Sequence, residues 1–247
     1  MRGIPTEFRS SATTYLLTWA VGVILLCIPL IQMGYEQSFL TLNALRLPWL
    51  DFLMPHYTHV GDGLILASLG ATILLIKGDF HLLILLVITL LLVMVLVSVF
   101  KNLVFTHWGR PAVVFAAPPQ EFFMTSTRPL SSLSFPSGHT TAAAAAGFLP
   151  ALATRSRWGG LVLGLLMLAV GYSRIYIGVH FVGDVVAGAC LGLGIAWGAL
   201  ISLNAPVQAW WLRQHDYSRE IFRRIAWLIS LLVGVIGVVS LYFVYYG

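Results

Sequence analysis

Two histidines, one aspartate and three long cations stand at the ends of apolar runs, in three short clusters. The first is "KNLVFTHWGRP", with Lys101, Arg110 and Pro111. The second is "PSGH", Pro136 to His139, and the third is "SRIYIGVHFVGD", with Ser173, Arg174, His180 and Asp184. His180 and Asp184 are four residues apart, which places them on one helix face with Asp184 leaning back toward the ring. Asp184 is then expected to hold one ring nitrogen by a hydrogen bond. The other stays unprotonated and free to attack, so that imidazole itself is the nucleophile. A His/Asp pair at this spacing also occurs simply as a helix-stabilising contact, and alone it would say no more.

The second cluster adds what the pair lacks. Ser137 can cap the helix that follows, Gly138 lets a ligand approach the backbone, and the first N–H groups of that helix favour an anion. His139, in the first turn, can donate a proton to a leaving oxygen. An ordinary Pro-Ser-Gly turn explains the first three residues of the tetrad but not the histidine. Lys101, Arg110 and Arg174 would surround spread negative charge, which is what a transferring phosphoryl group presents. Snorkelling or topology charges are the plain alternative for these cations.

The elements that must position these groups are membrane helices. The chain has 247 residues, 59% hydrophobic and 9% charged, against about 25% charged residues in a soluble domain. Apolar runs predict spans near 13–33, 53–76, 80–104, 139–154, 158–177, 181–203 and 223–245, several of them reaching the ~20 residues that cross a bilayer. The fold class is an all-α polytopic bundle forming one membrane domain over 1–247. With the N-terminus inside, nine Lys and Arg fall on inner segments and five (Arg46, Lys101, Arg110, Arg128 and Arg174) on outer ones, which favours a cytoplasmic N-terminus and an outer C-terminus. The net charge of +5 is spread along the chain rather than gathered in one block, so no nucleic-acid partner is implied. Cys27 and Cys190 lie inside apolar runs and imply neither disulfide nor metal framework. Residues 34–52 read as an amphipathic segment at the outer interface, and 105–138 as an aromatic loop dipping into the headgroups.

Together the clusters resemble the three-part signature of the type-2 phosphatidic acid phosphatase (PAP2) superfamily, which includes bacterial lipid phosphatases, glucose-6-phosphatase and vanadium-dependent haloperoxidases. The pattern is Lys-x6-Arg-Pro, then Pro-Ser-Gly-His, then Ser-Arg-x5-His-x3-Asp. The second and third parts match in full, and the likeness covers roughly residues 53–203. The first part departs: eight residues, not six, separate Lys101 from Arg110. Two extra residues shift a helical position by about 3 Å and turn it by roughly 200°. Either a loop absorbs the difference, which we favour, or Lys101 is not the phosphate ligand.

The resemblance implies a six-helix core, with the run at 223–245 as a seventh, C-terminal span. It implies that His180 attacks phosphorus to form a phospho-histidine, that Asp184 orients it and that His139 protonates the leaving group. Lys101, Arg110, Arg174, Ser137 and Gly138 would hold the phosphate oxygens, with no metal or other cofactor. The expected function is a lipid phosphate or diphosphate phosphatase at the outer face of a bacterial cytoplasmic membrane, with lipid phosphates and membrane lipids as its partners. Undecaprenyl diphosphate is the preferred substrate; phosphatidylglycerol phosphate, phosphatidic acid and lipid A phosphates compete. A lipid-to-lipid phosphotransferase and a non-catalytic lipid-binding protein or transporter are the other readings. Asp62 is a candidate to pair with a site cation and Arg128 to read a second phosphate or headgroup. His56, His59 and Asp62 make a weak metal set, and His107 is expected to face solvent.

Overall fold

Lipid offers no partner to a bare peptide group, so apolar runs of this length fold as helices. The structure, a computed structural model, describes residues 6–116, 121–125 and 133–246. Its helices are α1 (Thr6–Asn43), α2 (Pro48–Tyr57), α3 (Gly63–Lys77), α4 (Phe80–Val99), α5 (Pro111–Val114), α6 (Gly138–Ala153), α7 (Arg157–Tyr176), α8 (Val182–Leu212) and α9 (Asp216–Tyr246). A 3-10 turn, Thr58–Gly61, joins α2 to α3, and a π-helical turn, Phe100–Val104, continues α4. Among the described residues, five helices are long and apolar enough to cross a membrane, six if the bent pair Pro48–Gly61 with Gly63–Lys77 is counted as one span.

Two expectations need correction. The first span does not stop near residue 33; α1 runs on to Asn43 through a break at Gly34. The second span is broken, its halves meeting at 74°, because Asp62 starts α3 afresh by accepting the N–H groups of Leu64 and Ile65. In the segment after α4, Phe115 is buried and packs against Phe39, Phe122 and Phe181, while Trp108 is exposed.

Helix α6 is the axis of the bundle. It packs against α1, α3, α4, α7 and α8, and every residue from Thr140 to Ala153 is buried. Its five consecutive alanines, Ala142–Ala146, let surrounding helices approach closely, which is how membrane helices gain packing without a hydrophobic drive. Helix α8 answers with Gly188 and Gly192, whose ideal Cβ positions would lie 2.7 Å from the Ser137 carbonyl oxygen and 2.3 Å from that of Thr141. The start of α6 and the start of α8 are thereby held side by side. At the other end of the bundle, Arg155 in the α6–α7 turn makes a two-pronged ion pair with buried Asp79 in the α3–α4 turn, at 2.6 and 3.0 Å.

The close approach of α6 and α8 is testable. Gly192→Ala sets a methyl against a backbone oxygen that cannot swing away and is expected to cost about 1–3 kcal/mol. Gly194→Ala, where an added Cβ meets nothing within 4 Å, is expected to be close to neutral. Thermal unfolding of both variants in one detergent measures the difference, and equal melting temperatures would contradict the packing described.

Candidate active site

The turn from α7 to α8 builds the centre of the site. The N–H groups of Val179 and His180 both donate to the Arg174 carbonyl, at 3.1 and 3.2 Å, which folds the chain back sharply. Phe181 then caps α8, and Asp184, third residue of that helix, accepts the Phe181 N–H at 3.0 Å through Oδ2. The same Oδ2 faces His180 Nδ1 at 3.1 Å. The expected His180–Asp184 contact is therefore present, but His180 lies before the helix rather than on its face. It is the capping geometry, not helical periodicity, that turns the carboxylate toward the ring.

Asp184 is completely buried and gathers further donors. Ser134 Oγ donates to Oδ2 at 2.5 Å and also lies 3.2 Å from His180 Nδ1. Tyr35 Oη, from α1, donates to Oδ1. The backbone closes the same junction, with Ser137 N–H donating to the Asp184 carbonyl at 3.1 Å. Neither Tyr35 nor Ser134 stood out in the sequence. Ser134 had a faint signal, three residues before Ser137; Tyr35, 149 residues from its partner, had none.

The other ring nitrogen faces the cations. Arg110 Nη1 lies 3.5 Å from His180 Nε2 and donates to the Val179 carbonyl at 3.1 Å. A guanidinium only donates, so Nε2 carries the lone pair and Nδ1 the proton, a tautomer assigned from the network. Arg174 is buried, and its Nη1 donates to Thr58 Oγ1 at 2.7 Å. Lys101 is half-buried, donates to the Leu133 carbonyl at 3.1 Å and lies within electrostatic reach of Arg110, Arg174 and Asp184. It stands in the π turn, where Phe105 N–H bonds the Phe100 carbonyl at 2.7 Å. Between the π turn and Arg110 the chain runs through the non-helical segment Phe105–Gly109.

His139, in the first turn of α6, packs over the 3-10 turn: a Cβ on Gly61 would come 3.1 Å from its ring. It lies within reach of the charges on Arg174, His180, His59 and Arg110. Ser137 caps α6, its buried Oγ accepting from Thr140 N and, at 2.9 Å, from Thr140 Oγ1. Gly138 opens that helix. Asp62 is not directed at a site cation; its Oδ1 takes the Leu64 N–H at 2.9 Å, because a helix start leaves such donors without partners. His56 bonds the Phe52 carbonyl of its own helix, and His107 is exposed. Arg128 lies outside the described residues.

The arrangement is a neutral imidazole with one nitrogen tied to a buried carboxylate and the other facing Arg110, with Arg174 within electrostatic reach of the ring. It suits attack on a centre bearing several anionic oxygens. The profile of the PAP2 superfamily matches residues 82–208. The chain is 32% identical over 163 residues to phosphatidylglycerophosphatase B of Bacillus subtilis, covering 60% of this chain and 73% of that one. It is 26% identical over 172 residues to undecaprenyl-diphosphatase of Sulfolobus acidocaldarius, covering 68% and 76%. The crystal structure of Aquifex aeolicus LpxE superposes with a TM-score of 0.55 at 30% identity, over 66% of this chain and 92% of that one.

Burial is the main influence on His180: it pulls the imidazole down to about 3, against the raising effect of Asp184. The ring is neutral across the physiological range. Because the folded value lies below the ordinary one near 6.5, the unfolded chain binds this proton first. The stabilisation is whole above about pH 6.5 and is lost progressively as pH falls toward 3. Between pH 6.5 and 4.5 the loss due to His180 is expected to be on the order of 2 kcal/mol. His180→Asn removes the titrating group, so melting in detergent over this interval should fall less steeply in the variant. Parallel pH dependences would refute the burial argument.

Proposed function

The chain belongs to the PAP2 superfamily, and on that premise we propose that it hydrolyses lipid phosphates at the outer membrane–water interface through a phospho-His180 intermediate. As a member it is a multi-span membrane phosphatase, a hydrolase of phosphate esters. The reading is carried by one observation, the Arg110 guanidinium 3.5 Å from His180 Nε2. It puts a forked phosphate ligand beside the lone pair that would attack phosphorus.

In the first half-reaction Nε2 forms a bond to phosphorus as the bond to the leaving oxygen breaks. Asp184 takes the growing positive charge of the ring through the Nδ1 proton. Arg110, Arg174 and Lys101 hold the non-bridging oxygens, with the Ser137 hydroxyl and the Gly138 N–H at the start of α6 as further donors. His139 gives a proton to the leaving oxygen and then takes one from the water that cleaves the phospho-histidine. Inorganic phosphate and a lipid alcohol or lipid monophosphate leave.

For the substrate, we favour undecaprenyl diphosphate; the relative from Sulfolobus acidocaldarius carries that name. Phosphatidylglycerol phosphate is the second reading, favoured by the more identical relative from Bacillus subtilis. The charge distribution supports an outer-facing site in a bacterial cytoplasmic membrane, since nine Lys and Arg fall on segments of the opposite end and five on those of the site end.

Phosphate release across a panel of lipid mono- and diphosphates tests this reading, run with EDTA and with His180→Ala in parallel. Activity is expected to survive EDTA and to drop at least 10³-fold in the variant; loss with EDTA, or full activity without His180, would sink it. The role of His139 is separable in single turnovers. A lipid alkoxide leaves far less readily than a lipid phosphate, so His139→Asn is expected to slow a monophosphate by 10²–10⁴-fold and a diphosphate at least tenfold less. Equal losses on both would remove His139 as the acid.

A further inference from the structure

Helix α1 is interrupted at one residue, Gly34, at φ +80°. An added Cβ there would meet nothing within 4 Å, so it is the backbone conformation, and not crowding, that calls for glycine. The next residue is Tyr35. Its ring sits 4.7 Å from that of Phe181 and edge-on to Trp108 at 5.4 Å. Helix α8 makes room for it at Gly183, where a Cβ would fall 2.4 Å from the Tyr35 ring. A break in one helix, a notch in another and two aromatic walls converge on a single outcome: the Tyr35 hydroxyl meets Asp184 Oδ1.

The two carboxylate oxygens are served differently. Oδ2 receives Ser134 Oγ, the Phe181 N–H and His180 Nδ1, while Oδ1 receives the tyrosine. Donors on Oδ2 alone would let the carboxylate pivot about that oxygen; the tyrosine fixes its plane. It also draws negative charge toward Oδ1, away from the oxygen that faces the ring. We propose that Tyr35 is a positioning residue for the reaction: acting through Asp184, its hydroxyl holds the His180 proton on Nδ1 and sets the basicity of Nε2. The inference rests on the proposed role of His180 as nucleophile.

The sign of the effect follows from the charge. Without the Tyr35 hydroxyl, more negative charge remains on Asp184 Oδ2, the imidazolium is better stabilised, and His180 takes up its proton at higher pH. The other groups facing His180 are Arg110 ahead of α5, Arg174 on α7, His139 on α6 and Ser134. Lys101, on the π turn, acts on Asp184. All of them are left in place by Tyr35→Phe, which keeps the ring in its notch.

The experiment compares Tyr35→Phe with the unaltered protein, each labelled with ¹⁵N-imidazole histidine in detergent. The His180 resonance is identified by its absence in His180→Ala. The variant is expected to show a titration midpoint higher by ~0.5 unit or more. Its kcat should be about tenfold lower, because loss of the fixed carboxylate plane outweighs the gain in basicity, with KM changed less than twofold. An unmoved midpoint overturns the proposal, as does a loss that falls on KM with kcat retained. The midpoint is read without substrate, so it tests Tyr35 even if no lipid phosphate is hydrolysed. A shifted midpoint in a protein inactive on the whole panel would overturn the functional reading and leave the Tyr35–Asp184–His180 coupling standing.

Discussion

A carboxylate buried away from water must be met by donors or give up its charge, and Asp184 is met from four places in the chain. Its donors come from α1, from the segment before α6, from the α7–α8 turn and from its own helix cap. Each of these elements is held at the site by that one charge. The carboxylate therefore acts both as a structural hub and as the group that leaves one imidazole nitrogen free. Its chemistry and the local fold are satisfied by the same hydrogen bonds.

Such a hub needs helices closer together than bulky side chains allow. The alanine run of α6 and the paired glycines of α8 supply that closeness, and Ser137 N–H reaching the Asp184 carbonyl is its result. A leucine-rich α6 would push α8 outward and part the two motifs that share the site. Small residues, an apparent weakness in a membrane helix, are what allow the polar junction to form.

The periphery is organised around the same end. Asn43 at the end of α1 bonds the Ile175 and Tyr176 carbonyls at 3.0 Å and accepts the Phe123 N–H at 2.8 Å, tying the segment beyond Gly34 to the end of α7. Thr58 ties the broken second span to Arg174. Helix α9 docks apart from this, through Ser230 against Ser68 and Thr72 of α3. The elements bearing Lys101, Arg110 and Arg174 thus converge on one end of the bundle, while at the far end Asp79 pairs with Arg155.

Much of this was legible in the order of residues. Apolar length marked the helices, because backbone groups in lipid have no other solution. The spacing of His139, Arg174, His180 and Asp184 marked the candidate site, because those side chains sit at or near helix ends that local sequence defines. The tertiary structure alone decided three things. It placed His180 in the turn ahead of α8, where a helix cap and not a helix face aims the carboxylate. It kept Lys101 toward the site through a π turn despite two extra residues. It brought Tyr35, Ser134 and Thr58 to the charged groups. Those last contacts join residues far apart in the chain, and no local periodicity encodes a partner that only the packing of other helices can deliver.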